Sequence, residues 1–439
     1  MKILLYGLNF APEPTGIGKY SGEMAAWLAA AGNEVRVVTA PPYYPAWSIG
    51  AGYSAWRGVQ ERWQGVRVWR APLWVPRRPS GAKRLVHLMS FALLSLPALA
   101  QQIFWRPEVV VVVAPALMCA PAGLLAARLC GARAWLHVQD FEVDAAFRMG
   151  LLKGGAAQKA IGWFERWLLR RFDQVSTISN RMVDLLRAKQ VDPARTVLFP
   201  NWVDVSAIMP MRQPSPYRAE LNIPDDAIVA LYSGSMAGKQ GLELLPVAAR
   251  ELQERLPKLF FVLCGDGVFK PAIERDCAGL ANVRLLPLQP AARLGELLGM
   301  ADIHLLPQSA QAADLVMPSK LTGMLSSGRP VLATAHSGTE LATVVKGCGT
   351  VVPPNDTPAF VAALVTLAGS AEMRAELGAA ARHYAESQLA RDRVLVDFEQ
   401  SLKRCLGEAG AARPEVLGKA PEGVGLAPSS PADENAKTT

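Results

Sequence analysis

The stretch "KILLYGLNFAPEPTGIGKYSGEMAAWLAAAGNEVRVVTA", residues 2–40, decides the fold. A short apolar run (2–8) passes through a turn of small residues into a helical pattern, and a second apolar run (34–39) follows. Met24, Trp27, Leu28 and Ala31 recur on one helical face, and Gly32 stands where a C-cap belongs. Strand, turn, helix, strand is the unit of a parallel sheet, because the helix carries the chain back to start the next strand in the same direction. The turn itself reads Gly16-x-Gly18-x-x-x-Gly22. A dinucleotide fingerprint needs GxGxxG directly after the strand and an acid closing the second strand. Here the spacing is one longer, eight residues separate Gly7 from Gly16, and "EVRVVTA" ends without an acid. No GxxxxGK[ST] occurs either. What remains is a turn suited to a phosphate or sugar in a cleft, or simply a tight turn.

Outward from this unit the pattern repeats. Runs at 66–70, 108–114 and 133–138 are apolar and separated by helical patterns. The alternation pauses at "MPMRQPSPYRAELNIPDD" and restarts with "AIVALYSGS", "LFFVLCGDG", "NVRLLPL", "ADIHLLP", "PVLAT" and "GTVVPP". The expected fold is α/β, with two doubly wound parallel-sheet domains facing a cleft. They span 1–205 and 226–385, with a linker at 206–225. A helix over 386–408 is expected to return toward the first domain, and 409–439, lacking aromatics and periodicity, reads as disordered.

Bulk properties narrow the class. The chain has 439 residues, 51% of them hydrophobic, and a formal charge of +8. That is rich for a soluble protein without being a polytopic membrane pattern, and it favours anionic partners. Six scattered cysteines, with no CxxC, argue against structural zinc and a disulfide framework. The apolar start is too short for a signal peptide, so a cytoplasmic location is expected.

In the second half, "SGSMAGKQGLELL" (233–245) follows the first strand. Glycines and Ser235 let the backbone approach a ligand closely, and Lys239 sets an ammonium beside a helix start, which suits a diphosphate. Taken alone, a solvated surface lysine is the more common meaning of such a residue. With "GSMAGKQG" come "VLCGDG", "NVRLLPLQPAARLGELLGMADIHLLP", "MPSKLTGMLSSGRPVLAT" and "GCGTVVPPND", in that order. This succession resembles the retaining glycosyltransferases of GT-B fold, family four. "PEPTGIGKYSGEMAAWLAAAGNEVRVVTAPPYYP", "VSTISNRM" and "LFPNWVD" carry the likeness through roughly residues 1–400. "LHVQDFEVDAAF" and "VMPSKLT" resemble the branch that builds exopolysaccharide of the colanic-acid type.

The resemblance implies a nucleotide-sugar donor on the second domain and an acceptor approaching from the first. Lys239 and Ser235 would contact the diphosphate, Gly265, Asp266 and Gly267 would border the nucleoside, and the Pro318–Ser319–Lys320 loop would hold phosphate oxygens. Gly16 and Gly18 would wall the transferred sugar. The family's two glutamates, eight residues apart, fall here on Leu315 and Gly323, with Asp314 one step off. The ribose contact of the second glutamate is therefore missing or comes from elsewhere, Thr322 or Glu340 being candidates. At the end of the 133–138 strand stand His137, Asp140, Glu142 and Asp144. Ligands of open α/β sheets gather at carboxyl ends of strands, so the location suits chemistry, and the resemblance implies that His137 touches a sugar hydroxyl and that Asp140 or Glu142 orients the acceptor. The alternative is a helix N-cap with first-turn acids. No DxD occurs, and neither a metal nor a cofactor is expected beyond the nucleotide-sugar co-substrate.

Residues 56–84 hold eight Lys or Arg against one acid, Glu61, interleaved with Trp56, Trp63, Trp69 and Trp74. The uncharged run "LVHLMSFALLSLPALAQQIFW" (85–105) follows. Pro97, His87, two serines and two glutamines make it a poor span, and an interfacial helix in 56–105 is expected, with "AIGWFERWLLRRF" (160–172) as a second basic-aromatic helix. An ordinary buried helix is the alternative. An anionic membrane surface and a polyprenyl-diphosphate-linked acceptor fit this pattern, and no nucleic-acid module is evident. Two other functions stay open: a GT-B sugar-nucleotide 2-epimerase, and a non-catalytic subunit that binds nucleotide sugar.

Overall fold

The computed structural model describes residues 1–14, 16–78, 81–114, 117–141, 155–236, 240–310 and 317–407. Lys239, Glu142, Asp144, Asp314, Leu315 and the 409–439 segment lie outside them.

Two parallel sheets form, as the alternation requires. In the first half the elements are β1 (Lys2–Gly7), α1 (Gly16–Ala30), β2 (Glu34–Thr39), β3 (Val59–Trp63), β4 (Val66–Arg70), α2 (Gly81–Leu94) and α3 (Leu96–Trp105). There follow β5 (Val109–Ala114), α4 (Ala120–Cys130), β6 (Arg133–Val138), α5 (Gly155–Leu169), β7 (Gln174–Thr177), α6 (Asn180–Ala188) and β8 (Thr196–Leu198). The strands lie in the order β3-β4-β2-β1-β5-β6-β7-β8, and only β3 runs antiparallel to its neighbour. β5 is buried at every position, the mark of a strand covered on both faces, and its valines are stiff in the extended form. β3, β7 and β8 escape periodicity because "VQERW" is a polar edge strand and the other two are short.

The second half builds α7 (Pro216–Glu220), β9 (Ile228–Ser233), α8 (Leu244–Arg255), β10 (Leu259–Cys264), α9 (Lys270–Asp276), β11 (Val283–Leu286) and α10 (Leu294–Gly299). It continues with β12 (Ile303–Leu306), α11 (Lys320–Ser326), β13 (Val331–Thr334), α12 (Glu340–Lys346), β14 (Gly349–Val352), α13 (Thr357–Gly369), α14 (Ala371–Gln388) and α15 (Arg391–Leu406). All six expected strands form, in the order β11-β10-β9-β12-β13-β14. In each sheet the strand order reverses at the first strand of that half, β1 lying between β2 and β5 and β9 between β10 and β12, so later strands are added on opposite sides of it. The crevices at the carboxyl ends of these strands are the topological switch points where open sheets bind ligands.

Three sequence expectations change in detail. The buried face of α1 is Tyr20, Met24, Ala25 and Leu28, leaving Trp27 half-buried and Ala31 exposed. The proline-rich 206–225 segment is no solvated tether: Tyr217, Arg218 and Ile223 are buried, and Arg218 donates to Asp302 Oδ2 at 2.7 Å and to the Ala227 carbonyl at 2.9 Å. Arg70, counted among surface cations, is buried. It donates to Glu61 Oε1 (2.7 Å from Nε) and to the carbonyls of Ala11 (2.5 Å) and Ala40 (3.0 Å).

The last helix crosses to the first sheet. Val203 donates to the Leu389 carbonyl at 2.8 Å and Arg391 to that of Val203 at 2.9 Å, after which α15 lies beside α1. Phe398 stacks on Phe199 with centroids 4.0 Å apart and meets Trp135 edge-on at 5.3 Å. Asn33 Nδ2 donates to Glu399 at 2.8 Å.

Candidate functional site

The second sheet's switch point is shaped by glycines. Met236 donates to the Asp266 carbonyl at 2.8 Å and Phe269 to that of Met236 at 3.0 Å, zipping the turn after β9 to the turn after β10. A Cβ on Gly265 would sit 2.0 Å from the Gly234 carbonyl oxygen, and one on Gly267, at φ +150°, 2.4 Å from that of Met236. These two glycines therefore serve the contact between the turns, whatever they border beyond it. Ser235 and Asp266 are exposed at the rim, and Asp266 Oδ1 accepts from the Gly267 amide at 2.8 Å.

Lys320, at the start of α11, reaches under this turn. Its Nζ donates to Tyr232 Oη at 3.1 Å and to Gln240 Oε1 at 2.6 Å, and stands 4.3 Å from the Tyr232 ring centroid. Gly234 makes room: a Cβ there would press on Lys320 Cδ at 3.2 Å. Burial pushes the ammonium down to about 7. Because the unfolded chain holds a proton that the folded one sheds between about 7 and the ordinary lysine value, stability rises with pH through that window. Lys320→Met is therefore expected to raise Tm by about 3 °C or more at pH 6.5, and by much less at pH 9.5. Equal shifts at both pH values, read by scanning calorimetry, would contradict the burial argument. Neither Tyr232 nor Gln240 was legible as a site residue. The one signal is a tyrosine ending an apolar strand just before "SGS", whose hydroxyl needs a partner once buried.

On the opposite lobe, Gly16 has φ +61° and open space around its Cβ position, so it is conformational. Gly18 packs against Glu13, whose Oε2 and Cβ a Gly18 Cβ would meet at 2.5 and 2.6 Å. Glu13 is buried and its Oε1 accepts from the amides of Tyr43 (3.1 Å) and Tyr44 (3.0 Å), tying the loop after β2 to the glycine turn. Burial pushes its carboxyl upward against these bonds.

His137 is 2% exposed and both ring nitrogens are engaged. Gln139 Nε2 donates to its Nε2 at 3.0 Å, so Nδ1 carries the proton and donates to Ser176 Oγ at 2.9 Å. Burial pushes the imidazole down to about 3, so it stays neutral. The sugar contact expected from sequence has no free nitrogen in this arrangement, and the ring packs on Phe199 with centroids 4.8 Å apart. Asp140 is half-buried beside a small cavity lined by Leu117, Phe141 and Glu165.

The two lobes meet at this crevice. Thr322, buried on α11, bonds its hydroxyl to the Ser319 carbonyl at 2.9 Å and also faces the Tyr20 hydroxyl of α1. Ser319, exposed, precedes α11 without a side-chain cap bond. Glu340 accepts from the amides of Asn180 (3.2 Å) and Arg181 (3.1 Å), closing the start of α6 from the other domain. As ribose partners, Thr322 and Glu340 are thus already committed to the domain contact. At Gly323 a Cβ would lie 3.0 Å from Leu298 Cδ1, so that position faces packed core and has no room for a glutamate.

The run 81–105 breaks at Ser95 into α2 and α3, with Pro97 in the first turn of the second helix. Three of its polar residues face inward: His87 Nδ1 meets the Trp74 carbonyl at 2.7 Å, Ser95 Oγ meets Tyr6 Oη at 2.7 Å, and Gln102 is buried, while Lys83, Arg84 and Gln101 are exposed. Phe91 and Leu99 are buried as well, but other apolar side chains face out, Leu93 at 61% and Phe104 at 89% exposure. Gly81–Trp105 is the one helical run among the described residues long and apolar enough to cross a membrane, by length and composition alone. Trp56, Trp163 and Phe164 are exposed as well, whereas Trp63, Trp69 and Trp74 are half-buried.

Residues 15–202 match the family described as glycosyl transferase 4-like domain, and residues 215–384 match glycosyl transferases group 1. The chain is 42% identical over 413 residues to the putative colanic acid biosynthesis glycosyl transferase WcaI of Escherichia coli K12, covering 92% of this chain and 100% of that one. It is 29% identical over 203 residues to the probable glycosyltransferase WbjE of Pseudomonas aeruginosa, covering 44% and 48%. Among solved structures it is similar to sucrose-phosphate synthase from Thermosynechococcus elongatus, with TM-score 0.72 at 16% identity over 93% of this chain and 100% of that one. Anabaena HepE in complex with UDP and glucose superposes with TM-score 0.66 at 14% identity over 92% and 100%. At these identities the structural likeness establishes the two-domain fold.

Proposed function

From the premise that this chain belongs to the group 1 glycosyltransferases, with a 4-like N-terminal domain and the GT-B fold, we propose that it moves a sugar from a GDP- or UDP-linked donor to a lipid-linked saccharide acceptor, with retention, in exopolysaccharide assembly of the colanic-acid type. The observation that supports this reading is the pair of glycine turns packed together at the second sheet's switch point, with the Lys320 ammonium of α11 bonded beneath them. The diphosphate would rest on the 234–236 turn, with Lys239 and Lys320 meeting the charge that grows as the glycosidic C–O bond breaks. The acceptor hydroxyl enters from the same face, forms the new C–O bond, and gives its proton to the departing diphosphate. The protein then supplies positioning and charge and no metal. Lys239→Ala is expected to cost about two to three orders of magnitude in turnover. Unchanged turnover with a GDP- or UDP-sugar panel would remove the assignment.

The outward apolar face of α2 and α3 supports a lipid-linked acceptor met at the cytoplasmic membrane surface. Phe91 and Leu99 are buried against the domain, yet Leu93 and Phe104 stay exposed to water on the outer side, an apolar surface that a bilayer would cover. Arg77, Arg78, Lys83 and Arg84 would meet anionic headgroups. Full-length protein is expected to co-sediment with phosphatidylglycerol vesicles at low salt, and Leu93→Glu/Phe104→Glu to weaken that binding about tenfold or more. No sedimentation of the unaltered protein would sink the membrane reading while leaving the transfer reading intact. The core-facing Gly323 favours one second reading, a nucleotide-binding subunit without turnover. Nucleotide binding with no transfer to any acceptor is its signature.

A further inference from the structure

Tyr232 is the one aromatic of β9 and is buried, and its hydroxyl is bonded on two sides. It accepts from Lys320 Nζ at 3.1 Å and donates to the Ser235 carbonyl at 2.5 Å, and its ring lies under the same ammonium. One hydroxyl thus joins a residue of the 233–236 turn to a cation brought from α11, 88 positions along the chain. Gln240 Oε1, just past the turn, takes a second direction of the ammonium at 2.6 Å, and the Gly234 backbone covers the lysine stem.

We propose that Tyr232 is a positioning residue of the donor site, whose hydroxyl locks the Lys320 ammonium to the turn that seats the diphosphate. The inference rests on that turn being the diphosphate seat. With both groups held by one oxygen, the turn and the cation keep a single relative placement before ligand arrives, so binding costs less ordering. Among the described residues, the groups facing the ammonium are Tyr232 from β9, Gln240 from the segment before α8, and the turn backbone. Burial holds the Tyr232 phenol above its usual range, so it stays protonated and keeps donating to Ser235. The lysine is the group that titrates near neutrality. Diphosphate favours its charged form, so binding takes up a proton and affinity falls as pH rises above about 7.

The test is calorimetric titration of the full chain with UDP and with GDP from pH 6.5 to 9, on wild type, Tyr232→Phe, Lys320→Met and the double variant. Tyr232→Phe keeps the ring and removes only the hydroxyl. It is expected to bind the better nucleotide about tenfold more weakly at pH 7.5, with its decline in affinity starting at lower pH because the ammonium has lost an acceptor. The double variant is expected to bind no worse than Lys320→Met, since the hydroxyl then has no ammonium to hold. A Tyr232→Phe protein that binds like wild type at every pH overturns the proposal. So does a uniform loss that adds to that of Lys320→Met, which would make Tyr232 a packing residue. If wild type binds neither nucleotide, the donor-site reading itself falls and this role with it.

Discussion

Gly265→Ala is expected to abolish measurable UDP or GDP binding and to destabilise the second domain by about 3 kcal/mol or more. The added methyl would stand 2.0 Å from the Gly234 carbonyl oxygen, a backbone atom that no rotamer change can move aside. Relief requires separating the turns after β9 and β10, which breaks the Met236–Asp266 and Phe269–Met236 bonds and lifts Gly234 off Lys320. A single methyl thereby disturbs glycine turn, lysine and tyrosine together. Gly16→Ala is the control. Nothing lies within 4 Å of that Cβ position, and only the φ of +61° is unfavourable, so a loss near about 1 kcal/mol is expected. Thermal unfolding and nucleotide titration of both variants decide the matter. Near-normal affinity in Gly265→Ala would mean that the turn pair does not form the site.

Arg70→Met is expected to lower first-domain stability by about 3–5 kcal/mol, because it strands Glu61 and two buried carbonyls. Arg70 gathers three separate segments: Ala11 before the glycine turn, Ala40 after β2, and Glu61 on β3. Tyr53 Oη adds a bond to Glu61 Oε2 at 3.1 Å. For a domain of this size the expected Tm drop is about 6–15 °C. Arg70→Met with Glu61→Leu should recover part of the loss, since no uncompensated charge is left in the pocket. A single-variant loss below about 1 kcal/mol in urea unfolding would show that the network is dispensable.

Much of the architecture was legible without coordinates. Six strand candidates in the second half and five in the first appear as strands, because apolar runs of that length, bounded by glycine and separated by helical periods, have few other ways to hide both faces. The missed strands are β3, a polar edge strand, and β7 and β8, which at four and three residues are too short to show a period. Site residues were less legible. In the sequence Lys320 stands out only as part of a loop and helix start, and the structure adds that its ammonium is held by a tyrosine hydroxyl and a glutamine carboxamide. His137 stands at a strand end in the sequence, but the pleat aims it at Phe199 and Ser176. A one-residue change of register reverses which face a strand residue meets, and position along the strand does not encode it.

The sequence by itself therefore determined the α/β alternation, the two-sheet architecture and the family, since these rest on local periodicity and on motif order. Tertiary structure alone decided which cations are buried, which glycines abut another turn, and which face of 81–105 meets water. Each of those depends on residues far apart in the chain. Gly234 and Gly265 touch across 31 positions and Tyr232 and Lys320 across 88. Only the assembled sheet, with its helices stacked on it, sets the distances at which a methyl clashes or an ammonium loses its water.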